Sequence, residues 1–470
     1  MTAHYKPLAL LTTAIVLTGC ASTPPSNLGE IYNAPAQEIG DNRNPVIVIP
    51  GVLGTKLEDP SNNQPIWGAF TFGAADPDTA EGARLVALPM QQGVPLAQLR
   101  DDVQPTDVLD TLTLDIGLIR GVELGAYADI LITLAAGKYR DETLGESGTV
   151  DYGGLHYTCF QFPYDWRRDV SEQAVALHEL VLDAQLANQQ ARDTTNPVKV
   201  DIIAHSMGGL VLRYYLRYGP NPLPEDGSMP PLTWEGADNV NTAILVGTPS
   251  AGSVLSLEQL VKGVNFAALI TPTYQPAVLG TMPSLFQLLP RTRHSRVVDS
   301  VTLEPIDIYD TDVWEQYQWG MADPDQQRIL KQLLPDVPTE AQRREIAIDH
   351  LDKCLRKAEQ LFAALDTPAT PPAGTTIHLI AGDAIPTPDL LAVDAQTGKI
   401  HTIGTAPGDD TVVRTSALMD ERVGNPYTPR LKSPIDWNSV QFLSSNHLGL
   451  TKDRAFTNFV LYTLLEKPID

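Results

Sequence analysis

Cysteine is scarce in this chain: Cys20, Cys159 and Cys354 are the three in 470 residues. That excludes a disulfide scaffold as the basis of stability. Cys and His nowhere fall at metal-ligand spacing, so no metal and no cofactor is expected. Positive charge is also short. Lys and Arg total 33 against 57 Asp and Glu, a formal net charge of -24. Such a surface repels a phosphate backbone, which argues against a nucleic-acid partner. No run is apolar for long enough to cross a bilayer as a permanent helix, and no internal repeat is present. What remains, 43% hydrophobic and 19% charged residues, is a globular composition. The length allows one large domain with insertions or two smaller ones.

The first residues read as a targeting segment. Lys6 supplies charge, Pro7 to Leu17 is almost wholly apolar, and Leu17-Thr18-Gly19-Cys20 follows. That ending resembles a bacterial lipobox. Residues 1–20 are expected to be a lipoprotein signal peptide, with Cys20 lipidated after cleavage. Residues 21–44 would be a tether, rich in Ser, Thr and Pro up to Asn27. The implied location is the bacterial cell envelope, held to the membrane by the lipid anchor. Ala21 and Ser22 follow Cys20 with no Asp, the pattern expected to direct lipoproteins to the outer membrane of a Gram-negative cell. Cys159 in a predicted strand and Cys354 on the apolar side of a predicted helix are expected to be buried free thiols.

Short apolar runs predict buried strands at Val46–Ile49, Leu155–Phe162, Val198–Ala204, Thr242–Val246, Ile377–Ala381 and Val440–Leu443. Helical spacing marks Ser171–Gln190, Met207–Tyr218 and Asp453–Leu465. Such alternation predicts an α/β protein, a mostly parallel sheet with helices on both faces, over residues 45–470. Two stretches interrupt it. Residues 57–150 are Gly- and Asp-rich, with short helix candidates such as Leu124–Ala136. Residues 251–375 hold Pro-rich turns and a long helix beginning at Thr339, with Gln342 as its capping-box partner. Leu351, Leu355, Ala358, Phe362 and Leu365 share one side of that helix. Inserts of this size between strands commonly form a cap or lid over an active site. Residues such as Phe266, Leu269, Leu285 and Leu288 would line an apolar channel there.

The sharpest motif is Ala204-His205-Ser206-Met207-Gly208-Gly209, between a strand and a helix. Strand, tight turn and helix with Ser at the apex form a nucleophile elbow, whose strained backbone demands small neighbours. A serine needs a general base and a third group that orients the base. His447 follows the last predicted strand, the position this fold gives its base. His294, His350, His378 and His401 occupy no such point. For the acid, Asp383, Asp409 and Asp410 all qualify on position. An oxyanion hole needs two backbone N–H groups. Met207, after the nucleophile, supplies one, and Val52 in Ile49-Pro50-Gly51-Val52-Leu53-Gly54 is the candidate for the other.

With the blocks Pro45–Glu58, Pro163–Arg167, Ala204–Gly209, Gly247–Ser253, Pro386–Pro388, Gly408–Val412 and His447 in order, the chain resembles the lecithin–cholesterol acyltransferase group. That group includes lysosomal phospholipase A and phospholipid–diacylglycerol acyltransferases. The resemblance implies an α/β-hydrolase fold with an inserted cap and a lipid ester as substrate. It selects Asp409 as the acid, and gives Trp67 the role of a lid tryptophan touching acyl chains. The expected activity is that of a serine-dependent lipase or phospholipase, or of an O-acyltransferase. The alternatives are an esterase of small soluble esters and a non-catalytic lipid-binding lipoprotein of the same fold. Asp165 and Arg167 are expected to brace the oxyanion loop. Ser250-Ala251-Gly252 stands where the family often has Trp-Gly-Gly, and residues 68–150 have no counterpart.

Overall fold

The computed structural model describes residues 27–34, 43–70, 74–109, 111–116, 119–125, 127–154, 156–265, 272–422 and 428–467. Cys20 with its signal segment, and Phe266 and Leu269, lie outside them. Six strands form the central sheet: β1 (Val46–Ile49), β2 (Cys159–Gln161), β3 (Val200–His205), β4 (Val240–Val246), β5 (Thr376–Gly382) and β6 (Ser439–Leu443). Their order is β6-β5-β4-β3-β1-β2, and every neighbouring pair is parallel.

Alternate residues of each strand enter two separate apolar clusters, as a pleated strand requires. On one face Ile47, Ile49, Ile202, Ala204, Ala243 and Leu245 meet the helices Val170–Ala191 and Gly208–Tyr218. On the other face Val46, Val48, Ile203, Ile244 and Val246 meet Ile130 and Leu134 of the helix Ala128–Ala136 and Phe456 and Val460 of Arg454–Leu465. In chain order these helices are α1 (Ala128–Ala136), α2 (Val170–Ala191), α3 (Gly208–Tyr218), α4 (Glu340–Asp366) and α5 (Arg454–Leu465). Burial on both faces is why β1, β3 and β4 carry apolar residues at most positions. Cys159 and Cys354 are buried free thiols.

The first of the two interrupting stretches differs from expectation in content. Residues 55–125 hold strands: Thr55–Asp59, Gln64–Trp67 and Gln104–Val108 form an antiparallel sheet, and Ala69–Phe70, Thr111–Ile116 and Ile119–Gly125 form another sheet. Leu124 lies in a strand, and α1 begins only at Ala128. The strand Gln104–Val108 reads Gln-Pro-Thr-Asp-Val and is mostly exposed, so no apolar run announces it. In the later stretch, Thr339 caps α4, its hydroxyl accepting from the Gln342 N–H at 3.2 Å and donating to the Gln342 side chain. Leu351, Leu355, Ala358, Phe362 and Leu365 are all buried, in the same cluster as α2 and α3. Arg213 of α3 donates to the Leu365 carbonyl and Tyr218 to that of Ala364. So α4 packs on the main fold through α3 and also on the residues that precede it, Arg344 donating to the Ala322 carbonyl and His350 standing against that of Thr281.

One core residue carries a pH signature. Asp201 in β3 is buried at 2% exposure and takes hydrogen bonds from the neutral amides of Asn241 and Asn44. Burial pushes its carboxyl up to about 6. An acid raised by folding takes up protons as the chain folds. Its contribution to stability is therefore present at low pH and is lost as pH rises toward 6. Asp201→Asn is expected to be more stable than the parent at pH 7.5, by on the order of 2–3 kcal/mol, and to lose that advantage near pH 4. Urea midpoints of the two proteins at both pH values measure this. An advantage that does not depend on pH would contradict the assignment.

Candidate active site

The elbow is built from β3 and α3. Ser206 sits between them with φ 54°, a left-handed conformation that a non-glycine residue adopts only under constraint. Its N–H donates to the Val246 carbonyl and its own carbonyl accepts from Gly209. Space dictates the small neighbours. A Cβ on Gly208 would lie 2.4 Å from the Pro50 carbonyl oxygen, and a Cβ on Gly51 would lie 2.7 Å from Ser206 Cβ. The Pro50–Gly51 loop therefore presses directly against the serine. The N-terminus of α3 behind Ser206 favours negative charge forming there.

Ser206 Oγ lies 2.9 Å from His447 Nε2, and His447 Nδ1 lies 2.9 Å from Asp409 Oδ2. Asp409 is 1% exposed, and its other oxygen accepts the N–H groups of Thr411 (3.1 Å) and Val412 (2.6 Å). Asp383 instead pairs with Arg414 at 3.0 Å, and the exposed Asp410 has φ 75° and accepts from the Thr411 hydroxyl. The other late histidines stand elsewhere. His294 is beside Glu421, His350 is against the Thr281 carbonyl, His378 lies between Ser439 and Thr376, and His401 is exposed.

A cavity of about 160 Å³ opens beside Ser206 and His447. Val52 and Leu53 line it from the oxyanion loop, and Leu255, Leu279, Leu285 and Leu288 line it from the cap. The Val52 and Met207 N–H groups have no hydrogen-bond acceptor among the described residues. Leu53, next to Val52, is itself held at φ 65°.

Two placements differ from the sequence reading. Trp67 is buried and does not line the cavity. Its indole N–H donates to the Leu53 carbonyl at 2.7 Å, and its ring packs edge-on against Trp166 and Tyr274. It stands one layer behind the oxyanion loop. Arg167 does not brace that loop either. Its buried guanidinium is gripped by Asp165 and Asp101, 2.8 and 2.9 Å away, and donates to the Leu85 and Val86 carbonyls. It thus ties down the inserted stretch. The loop is held by the neighbours of Arg167: Tyr164 donates to the Pro50 carbonyl and Trp166 to that of Thr55. Two groups at the site were not singled out from sequence. Tyr127 lines the cavity from the inserted stretch, and His205 is buried beside the serine. A histidine ending a buried strand, directly before the elbow serine, was the available signal for His205. Tyr127 had none, since its partners are distant in sequence.

A parallel sheet with a serine elbow after its third strand and helices on both faces is an α/β-hydrolase fold. Over residues 152–352 the chain matches the model of the family Lecithin:cholesterol acyltransferase, the group its motifs resemble. That stretch contains Ser206 and Met207, whereas Val52, Asp409 and His447 lie outside it. Among solved structures, "The crystal structure of Tle4-Tli4 complex" is similar at TM-score 0.52 and 14% identity, covering 90% of this chain and 98% of that one. The mature lipase BlEst2 of Bacillus licheniformis aligns at TM-score 0.33 and 10% identity, over 91% of this chain and 95% of that one. Phospholipase PlaB from Legionella pneumophila aligns at 0.31 and 12%, over 69% and 54%. The shared fold rests on the first of these and on the topology. A search of curated proteins finds no match.

Proposed function

We propose that the protein transfers acyl groups from lipid esters through an acyl-Ser206 intermediate. The observation that carries this reading is one unbroken line of contacts, Asp409 to His447 to Ser206, ending at an apolar cavity. His447 takes the serine proton as Oγ attacks the ester carbonyl, and then gives it to the leaving alcohol. Asp409 holds Nδ1–H, so that Nε2 faces the serine as a base. The Val52 and Met207 N–H groups meet the developing oxyanion. Water as the second acceptor makes a lipase or phospholipase, and an alcohol makes an O-acyltransferase. The same residues serve both.

The cavity supports a fatty acyl group over a small polar one. Its size is close to the roughly 150 Å³ that admits one benzene ring, or about six carbons. Each methylene buried there contributes about 0.8 kcal/mol, close to a fourfold gain in kcat/KM. A series of p-nitrophenyl esters in fixed detergent is expected to rise steeply from acetate to hexanoate and then more gently. A flat profile, or a preference for acetate, would favour the small-ester alternative. No turnover of any ester by the folded protein would favour the non-catalytic one.

A further inference from the structure

Three buried polar groups join the oxyanion loop to the backbone of the base. The Gly51 N–H donates to Tyr127 Oη at 2.7 Å, Tyr127 Oη lies 3.2 Å from His205 Nδ1, and His205 Nε2 lies 3.1 Å from the His447 carbonyl oxygen. The direction of this chain is fixed by chemistry. A carbonyl only accepts, so Nε2 of His205 carries a hydrogen. Burial, and then the neighbouring His447, hold the His205 ring down to about 3, so it is neutral in any ordinary buffer and Nδ1 is an acceptor. The Tyr127 hydroxyl must then donate to Nδ1, and its oxygen is left to accept from Gly51. Each donor has one acceptor, and no other arrangement satisfies all three.

We infer that Tyr127 and His205 are positioning residues that lock the oxyanion loop and the base to each other. The inference rests on the serine-esterase reading above. Gly51 precedes Val52, the oxyanion donor, and its N–H is held on the Tyr127 hydroxyl. At the other end, the carbonyl of His447 is fixed while its ring reaches Ser206 and Asp409. The rings of His205 and His447 stand 4.7 Å apart. The polar atoms of Tyr127 and His205 are engaged with the Gly51 N–H, with each other and with the His447 carbonyl, so both act through their neighbours. Packing alone does not account for the pair. Phe and Leu would fill the same volume without burying three polar groups, which is costly unless each is satisfied. The inserted stretch thereby gains a part in the site. Tyr127 immediately precedes α1, which packs on α5 and on the turn that follows His447.

The test combines kinetics with a spectroscopic readout. In the parent protein, imidazole ¹⁵N spectra should show His205 as the Nε2–H tautomer with Nδ1 unprotonated. Tyr127→Phe keeps the ring and removes the hydroxyl. It is expected to lower kcat roughly 10- to 100-fold, the scale of a small misplacement of catalytic groups, with KM little changed; the melting point falls as well, because the buried Gly51 N–H and His205 Nδ1 lose their partner. His205→Gln retains a donor for the His447 carbonyl and should lose less than His205→Leu. Adding Tyr127→Phe to His205→Leu should cost little more, since the chain is already broken. Parental kcat in Tyr127→Phe, a lowered melting point with unchanged kcat, or additive losses would each overturn the inference. So would the Nδ1–H tautomer. If the parent turns over no ester, the functional reading fails by itself, and the tautomer still decides the hydrogen-bond chain.

Discussion

Ser206→Ala is expected to lower ester turnover by a factor on the order of a million, as loss of a triad nucleophile does, while the protein melts within a few degrees of the parent. The two parts of this expectation have separate grounds. Turnover collapses because Oγ is the atom that His447 Nε2 addresses, 2.9 Å away, and no other hydroxyl is given to that nitrogen. Stability persists because the features that hold the elbow are backbone features. The Ser206 N–H remains on the Val246 carbonyl, Gly209 remains on the Ser206 carbonyl, and the Cβ that Gly51 accommodates is unchanged. The substitution leaves His447 Nε2 facing the cavity, where a water can reach it. The check is turnover of a medium-chain ester beside a thermal melt. Residual activity above about one per cent of the parent would remove Ser206 from its role, because triad serines act as part of a unit.

The elbow was legible because its constraint is steric, and sterics are written into composition. Gly208 and Gly209 carry no side chain because the Pro50 carbonyl and Thr248 leave no room for a Cβ. The six strands were legible for a similar reason: a parallel sheet covered on both faces favours near-continuous apolar runs. The strands of residues 55–125 were not legible. Thr55–Asp59 and Gln64–Trp67 are short and mix apolar with polar residues, and in the mostly exposed Gln104–Val108 the residues Pro105 and Asp107 interrupt any alternation. The long helix α4 was legible in its capping residue and its apolar side. Its periodicity says that one side is buried, not what buries it. Trp67 shows the same limit, since residue type could not distinguish a wall of the cavity from the layer behind it. Tyr127 was out of reach altogether. Its contacts to Gly51 and His205 span 76 and 78 residues, and nothing local marks them.

Asp409→Asn is expected to cost about ten-thousand-fold in turnover, with Asp383→Asn and Asp410→Asn each within a few-fold of the parent. The size of the first effect follows from how the carboxylate is surrounded. Oδ1 already accepts two backbone N–H groups, from Thr411 and Val412, and Oδ2 accepts His447 Nδ1–H. An asparagine has only one acceptor oxygen, and the two N–H groups will claim it. Its NH₂ then points at His447 Nδ1, which must become an acceptor. The imidazole proton is thereby moved to Nε2, facing Ser206 Oγ, and a nitrogen that carries a proton cannot take another from the serine. The residue keeps its shape and loses the tautomer, so folding survives while the base does not. Neither rival has this arrangement. The Asp383 carboxylate is engaged with Arg414 near the surface, and Asp410 is exposed with its side chain on the Thr411 hydroxyl. At low pH the damage should not be repaired, because protonating the ring fills Nδ1 and Nε2 alike. At high pH a partial recovery is expected, as hydroxide takes over the proton that the misplaced tautomer cannot accept. The comparison is kcat for the three variants and the parent from pH 6 to 10. If Asp383→Asn is the most damaging of the three, the acid has been placed on the wrong loop. If Asp409→Asn falls without any recovery above pH 9, its loss is not one of tautomer.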